Sequence, residues 1–407
     1  MSEPEHTSEA SRARWLLTPE AVRSRCGRIL RRAEEGALPH FSLNRDRLDP
    51  CAAYVADTIR QNYPDLEIPF HARWRHFVVR GNDRWAAMAD REAWERKERA
   101  RIAFDLAITS VLLDAGSGPH WSYKDRSGQV LARSEGLAIA SLDAFERGLF
   151  SGSPANPFRA DAQVLSTLRT DDLASAFQLS AENRLAGLEG RADLMRSLGR
   201  ALQSRPDLFG GSGRIGNLAD VLLQLGPAIE ARDILIKVLD GLGSIWPGRS
   251  ELAGQNLGDC WRHSGISAED GLVPFHKLSQ WLSYSLIEPL QDAGIEVRNI
   301  DGLTGLAEYR NGGLLIDLGV LSLKDPEMQE CAHAPGDELI VEWRALTIAL
   351  LDELAERVRG LLGLSSEHFP LAKVLEGGTW AAGRRIAAEK RPSGGPPLTI
   401  QSDGSVF

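Results

Sequence analysis

Between residues 158 and 363 the apolar side chains recur every three or four positions, segment after segment. That spacing dictates stacked amphipathic helices rather than sheet. Leu185, Leu188, Leu194, Met195, Leu198 and Leu202 form one stripe, and Ile229, Ile234, Leu235, Val238 and Leu242 another. A third runs Ile340, Leu346, Leu350, Leu354, Val358 and Leu361, with Asp337 to start its helix and Gly363 to stop it. Short Gly/Pro breaks separate the stripes, and no alternating run of useful strand length occurs. The expected class is all-α, predominantly helical with little or no sheet.

The N-terminal part continues the pattern. Pro19 suits a first helical turn, and Val22, Cys26, Ile29, Leu30 and Ala33 share one face of the helix it opens. Arg23, Arg25, Arg28, Arg31 and Arg32 fall on the other, expected to be a solvated outer face. Asp49-Pro50 reads as the cap and first residue of a second helix ending near Tyr63. In Ile68 to Phe77, Pro69 opposes a helix, and an extended chain would put His71, Arg73 and Arg75 on one side. Helices follow around 92–114 and 135–149, with a Gly-rich loop bearing Trp121 between them. The expected division is a disordered leader (1–12), an N-terminal lobe (13–155), a C-terminal lobe (156–389) and an extended tail (390–407).

Composition narrows the function classes. A net charge of −9 argues against general nucleic-acid affinity, which needs a clustered positive surface. No stretch reaches the roughly eighteen apolar residues that span a bilayer. The polar, acidic N-terminus lacks the apolar core of a secretory signal. Cys26, Cys51, Cys260 and Cys331 are too far apart for a CxxC site, so reduced, buried thiols and a cytoplasmic location are expected. No HExxH, GxSxG or Cys/His cluster occurs, and neither metal nor cofactor is implied. Gly211-Ser-Gly213-Arg-Ile-Gly216 fits the dinucleotide pattern, but without a preceding strand it reads as a connector between helices.

Three C-terminal segments carry chemistry. Helical spacing puts Lys277 on one stripe with Trp281, Tyr284 and Glu288; a stem merely covering apolar surface is the alternative. Glu308 is followed at once by Tyr309, Arg310 and a double glycine, which should interrupt the helix and let a carboxylate line a pocket. Glu376 and Trp380 would lie one turn apart if Leu375 to Arg384 is helical, despite Gly377 and Gly378. Local propensity is overridden there, which points to a close backbone approach or a ligand. Two carboxylates, a lysine and aromatics form a coherent set for glycosidic chemistry.

On these residues the chain resembles the bacterial and fungal uracil catabolism protein 4 family along nearly its whole length. IPFHARWRHF, FHKLSQWLSYSLIEPL, GLTGLAEYRNGGLLIDLGVL, LEGGTWAAGR and the terminal SDGSVF look like its signatures. A more distant similarity is to the queuosine salvage protein family, all-helical ribonucleotide N-glycosidases. Its lysine-bearing helix matches FHKLSQWL at Lys277 and its acidic motif matches LAEYR at Glu308, with Glu here in place of Asp. The resemblance implies a helical glycosidase-like body with irregular N- and C-terminal segments. It also implies cleavage of the N-ribosyl bond of ribosylurea, or its 5-phosphate, without metal. Glu308, Lys277 and Glu376 are then the catalytic set. His71, Arg73, Arg75, Trp121, Trp281, Tyr309, Arg310 and Trp380 are candidates for binding a small ribosyl substrate. The alternatives are a modified-base ribonucleotide as substrate, or a non-catalytic ligand-binding protein of the same route.

Overall fold

The structure, a computed structural model, describes residues 8–246, 250–266 and 271–401. Among them helices dominate, and the strands are two or three residues long, arranged as two-stranded pairs without a central parallel sheet. The chain divides into two compact units, both discontinuous in sequence. The first takes the described residues of 1–71, 248–280 and 299–401; the second takes those of 72–247 and 281–298. Of the helix Lys277–Asp292, residues 277–280 fall in the first unit and 281–292 in the second.

In the first unit the helix Glu338–Leu362 begins after Asp337 and ends at Gly363, whose φ of 70° supplies the left-handed stop. It packs against Pro19–Glu34 and Leu48–Asn62. That packing changes the fate of the basic face. Arg25 is fully buried and donates to the Leu272 carbonyl at 3.1 Å, while Arg23 pairs with Asp352 at 2.9 Å. Neither is a solvated outer-face residue, because the neighbouring helix and strands cover that side.

Of the expected leader, residues 1–7 lie outside the described residues, and Glu9–Leu16 is a helix capped by the Ser8 hydroxyl. Of the tail, SDGSVF lies outside them too. Its earlier part is anchored: Arg391 makes two 2.6 Å bonds to Asp317, and Thr399–Ile400 pairs in parallel with Ala332–His333.

In the second unit Arg96–Leu112 packs against Arg133–Glu146 and Asn217–Leu223. Gly211 to Gly216 connects the helices Pro206–Phe209 and Asn217–Leu223. The Gly216 N–H donates to Asp105 at 2.7 Å, so the glycine-rich segment is a packed connector. Cys26, Cys51 and Cys260 are buried and unbridged, whereas Cys331 is exposed, contrary to the expectation for all four. Among the described residues no helix is long and apolar enough to cross a membrane, and no cluster of three potential metal ligands occurs.

Candidate active site

Glu308 is held by the start of its own helix. The chain reaches it extended (φ −121°, ψ 162°) and turns into the helix Tyr309–Asp317, for which Glu308 is the N-cap. Its Oε2 accepts the Arg310 N–H at 2.8 Å and its Oε1 the Asn311 N–H at 2.6 Å. The first turn of a helix leaves such donors unpaired and carries partial positive charge, so it fixes a carboxylate. Burial raises the Glu308 pKa above the ordinary carboxylate range; the two N–H groups and the charges of Lys277 and His71 oppose that rise.

The double glycine does not interrupt this helix. Tyr309–Asp317 runs through Gly312 and Gly313, which instead allow close packing. A Cβ on Gly312 would stand 2.7 Å from the Trp343 ring, and one on Gly313 3.0 Å from Pro397. Gly383 has the same role opposite the helix, since a Cβ there would lie 2.3 Å from the Arg310 carbonyl oxygen.

Lys277 opens the helix Lys277–Asp292, directly after His276 at φ 50°. A left-handed non-glycine residue costs energy and persists where surroundings over-determine it. Here buried His276 donates from Nε2 to the Leu16 carbonyl at 2.8 Å, and burial lowers its pKa, favouring neutral imidazole. The Lys277 N–H donates to Asp259 Oδ2 at 3.0 Å. Arg344 grips both Asp259 oxygens at 2.8 and 2.7 Å, and its Nε reaches the carbonyl of Ala307, the residue before Glu308, at 3.4 Å. One ion pair thus ties together the backbones that present Lys277 and Glu308.

Glu376 lies in the segment Val374–Trp380, which is wound as a π-helix. Cβ atoms on Gly377 and Gly378 would meet Ile68 at 3.0 Å and Val55 at 2.9 Å, so these glycines permit the close approach inferred from local propensity. Glu376 Oε2 is 2.7 Å from His71 Nδ1, and the His71 N–H donates to the Ala372 carbonyl at 2.9 Å. The Trp380 ring lies 5.8 Å from the His71 ring, and the Arg384 guanidinium lies over the Trp380 ring at 4.9 Å. Thr379 donates to Asn311 Oδ1 at 2.8 Å, joining the π-helix to the Glu308 turn.

The first unit therefore gathers Glu308, Lys277, His71, Glu376 and Trp380 from four distant segments. Tyr309 stacks with Arg310 at 4.9 Å, and Arg310 donates to the Gly394 carbonyl at 2.8 Å, holding the tail. Arg73, Arg75, Trp121 and Trp281 belong to the second unit. Arg73–Phe77 is a 3₁₀ turn, not a strand, so the three basic residues diverge. Arg73 is fully buried against Asp114 at 2.6 Å and Ser110 at 2.7 Å, and its guanidinium lies 5.7 Å from the Trp281 ring. Arg75 pairs with Glu288 at 2.8 Å, and Trp121 is buried, donating to the Phe177 carbonyl at 3.0 Å. Asn311 and Thr379 sit inside the motifs singled out from sequence but were passed over there. Asp259 and Arg344 carried no local signal.

A family model described as a protein of unknown function, DUF1688, matches residues 15–407. Protein urg3 of Schizosaccharomyces pombe is 41% identical over 409 positions, covering 96% of this chain and 98% of its own. Uracil catabolism protein 4 of Lachancea kluyveri is 38% identical over 416 positions, covering 92% of this chain and 93% of its own. With its signature segments and its matched length in agreement, the chain belongs to the DUF1688 family, the family of urg3 and uracil catabolism protein 4.

Proposed function

We propose that this protein acts in uracil catabolism as an N-ribosyl hydrolase, cleaving ribosylurea or its 5-phosphate to urea and the free sugar. The names of the two relatives support the pathway. The observation that carries the reaction is one buried carboxylate, Glu308, facing the charges of Lys277 and His71, with His71 bonded to a second carboxylate.

In the proposed step the C1′–N bond breaks as a water oxygen bonds to C1′. The nitrogen leaves with a proton taken from the His71–Glu376 pair, and the water gives one up to the Glu308 carboxylate, which returns it to solvent when the products leave. Positive charge develops on the sugar as the bond lengthens, and ionised Glu308, fixed by two N–H groups, stabilises it without reorganising. The His71–Glu376 hydrogen bond holds a proton that can pass to the departing nitrogen. Lys277 keeps Glu308 ionised and binds a sugar hydroxyl or phosphate.

The test is urea release from both substrate forms by the purified protein. Glu308→Gln should lower turnover by about 10²-fold or more, the usual cost of losing such an electrostatic contact. Lys277→Ala should mainly raise KM if lysine grips phosphate, and mainly lower kcat if it tunes Glu308. Urea release at the wild-type rate by Glu308→Gln would remove that residue from the mechanism. No release by the wild type would overturn the hydrolase reading.

A further inference from the structure

Thr58, Thr109 and Thr347 are buried helical threonines, and each gives its hydroxyl to the carbonyl four residues back in its own helix. Thr379 does not. Fully buried in the π-helical segment Val374–Trp380, it donates instead to Asn311 Oδ1 at 2.8 Å, 68 positions away in sequence. Asn311 is a costly residue at its own place too, since it forms helix poorly and is buried in the first turn of Tyr309–Asp317. Three of its groups are engaged. The main-chain N–H fixes Glu308 Oε1 at 2.6 Å, Nδ2 donates to the Leu306 carbonyl at 3.2 Å, and Oδ1 takes the threonine.

Asn311 therefore touches both halves of the proposed chemistry. Its N–H holds the carboxylate that meets C1′, and its side chain holds the segment that carries Glu376 and, through it, His71. The two segments meet again where Gly383 leaves room for the Arg310 carbonyl, a Cβ there being 2.3 Å from that oxygen. Cleavage needs the charge of Glu308 and the proton of the His71–Glu376 pair at the two ends of one C1′–N bond. A misplacement of about 1 Å in such an arrangement can cost on the order of 10²-fold in rate. Packing alone fixes that spacing loosely, whereas a buried side-chain hydrogen bond fixes a register.

We propose that Thr379 and Asn311 are positioning residues, whose hydrogen bond sets the His71–Glu376 pair against Glu308. This role rests on the hydrolase reading. Its test is urea release by the purified full-length protein, with kcat and KM measured separately. Thr379→Val keeps the shape and loses the bond, so kcat should fall about tenfold or more while KM changes little. Thr379→Ser keeps the bond and loses a methyl group, so it should recover that kcat even though the void lowers Tm. Asn311→Ala leaves the main-chain N–H on Glu308, and in that background Thr379→Val should have no further effect. A bond that only stabilised the fold would give another pattern: lowered Tm in every variant, with wild-type kcat in the folded protein. That pattern overturns the role, as does a further fall in kcat when Thr379→Val is added to Asn311→Ala. If the wild type itself releases no urea, the hydrolase reading falls and this role with it; full-rate release by Thr379→Val removes this role alone.

Discussion

Asp259 and Asp105 are both enclosed carboxylates beside an arginine, yet their protons are held in opposite ways. Asp259, in the first unit, is held well below the ordinary carboxylate range: Arg344 and the other donors overcome the burial that would raise it. Asp105, in the second, is pushed up to about 7 because burial outweighs Arg214. The difference is donor count. Asp259 accepts two bonds from Arg344, one from Trp261 Nε1 at 2.7 Å and one from the Lys277 N–H. Asp105 accepts one from Arg214 Nε at 2.7 Å and one from the Gly216 N–H, with Asp161 adding repulsion. The arginines differ in the same sense: every guanidinium nitrogen of Arg344 has a partner, while Arg214 Nη2 has none. Both pairs also fix backbone, Asp259 at Lys277 and Asp105 at Gly216, so it is the number of donors that separates them.

The largest test of this contrast removes each arginine. Arg344→Leu leaves Asp259 charged and enclosed, and should cost about 3–5 kcal/mol of unfolding free energy in urea titrations. Arg214→Leu leaves a carboxylate already disposed to take a proton, so its cost should be smaller at pH 6 than at pH 8. Equal losses for the two variants at pH 6 would refute the donor-count explanation.

A finer test removes one donor of four. Trp261→Phe keeps an aromatic side chain, though a smaller one, and deletes the Nε1 bond to Asp259 Oδ1. Hydrogen bonds to charged groups are worth about 1.5–3 kcal/mol, and the loss should fall in that range. Because the remaining three donors persist, the carboxylate should stay ionised at neutral pH. A stability loss that vanishes between pH 7 and pH 5 would contradict this.

How much of this was legible in sequence follows from how local each signal is. The stripe from Ile340 to Leu361 and its stop at Gly363 could be read directly, because helical spacing and capping are properties of neighbouring residues. The Glu308 segment and the lysine helix were legible as motifs. Their convergence was not, since it depends on Asp259 and Arg344, which are 85 positions apart. The π-helix was signalled only as a conflict at Gly377 and Gly378, where the approach of Val55, Ile59 and Ile68 leaves no room for a side chain. The basic run at His71, Arg73 and Arg75 misled for a similar reason. A 3₁₀ turn, with the Arg73 N–H held by Ser285 Oγ at 2.9 Å, replaces the extended geometry on which their common face depended.

The smallest expected effect is a pH slope, and its sign separates the two pairs. Asp105 has a native pKa raised from 3.8 to about 7. Its contribution to stability is therefore fully present below the unfolded value and lost as pH rises through about 7. Asp259 has a depressed native pKa, so its contribution is present above the unfolded value and lost only in strong acid. Between pH 4 and pH 7 the first group should tilt stability downward while the second leaves it level. One group can supply a slope of at most about 1.4 kcal/mol per pH unit. Asp105→Asn removes the titrating proton while keeping a side-chain oxygen for Arg214. Unfolding free energies measured at half-unit steps should show the variant gaining on the wild type from pH 4 to pH 7, then running parallel to it. A constant offset across that interval would mean that Arg214 keeps Asp105 ionised throughout, and that two donors suffice where four were thought necessary.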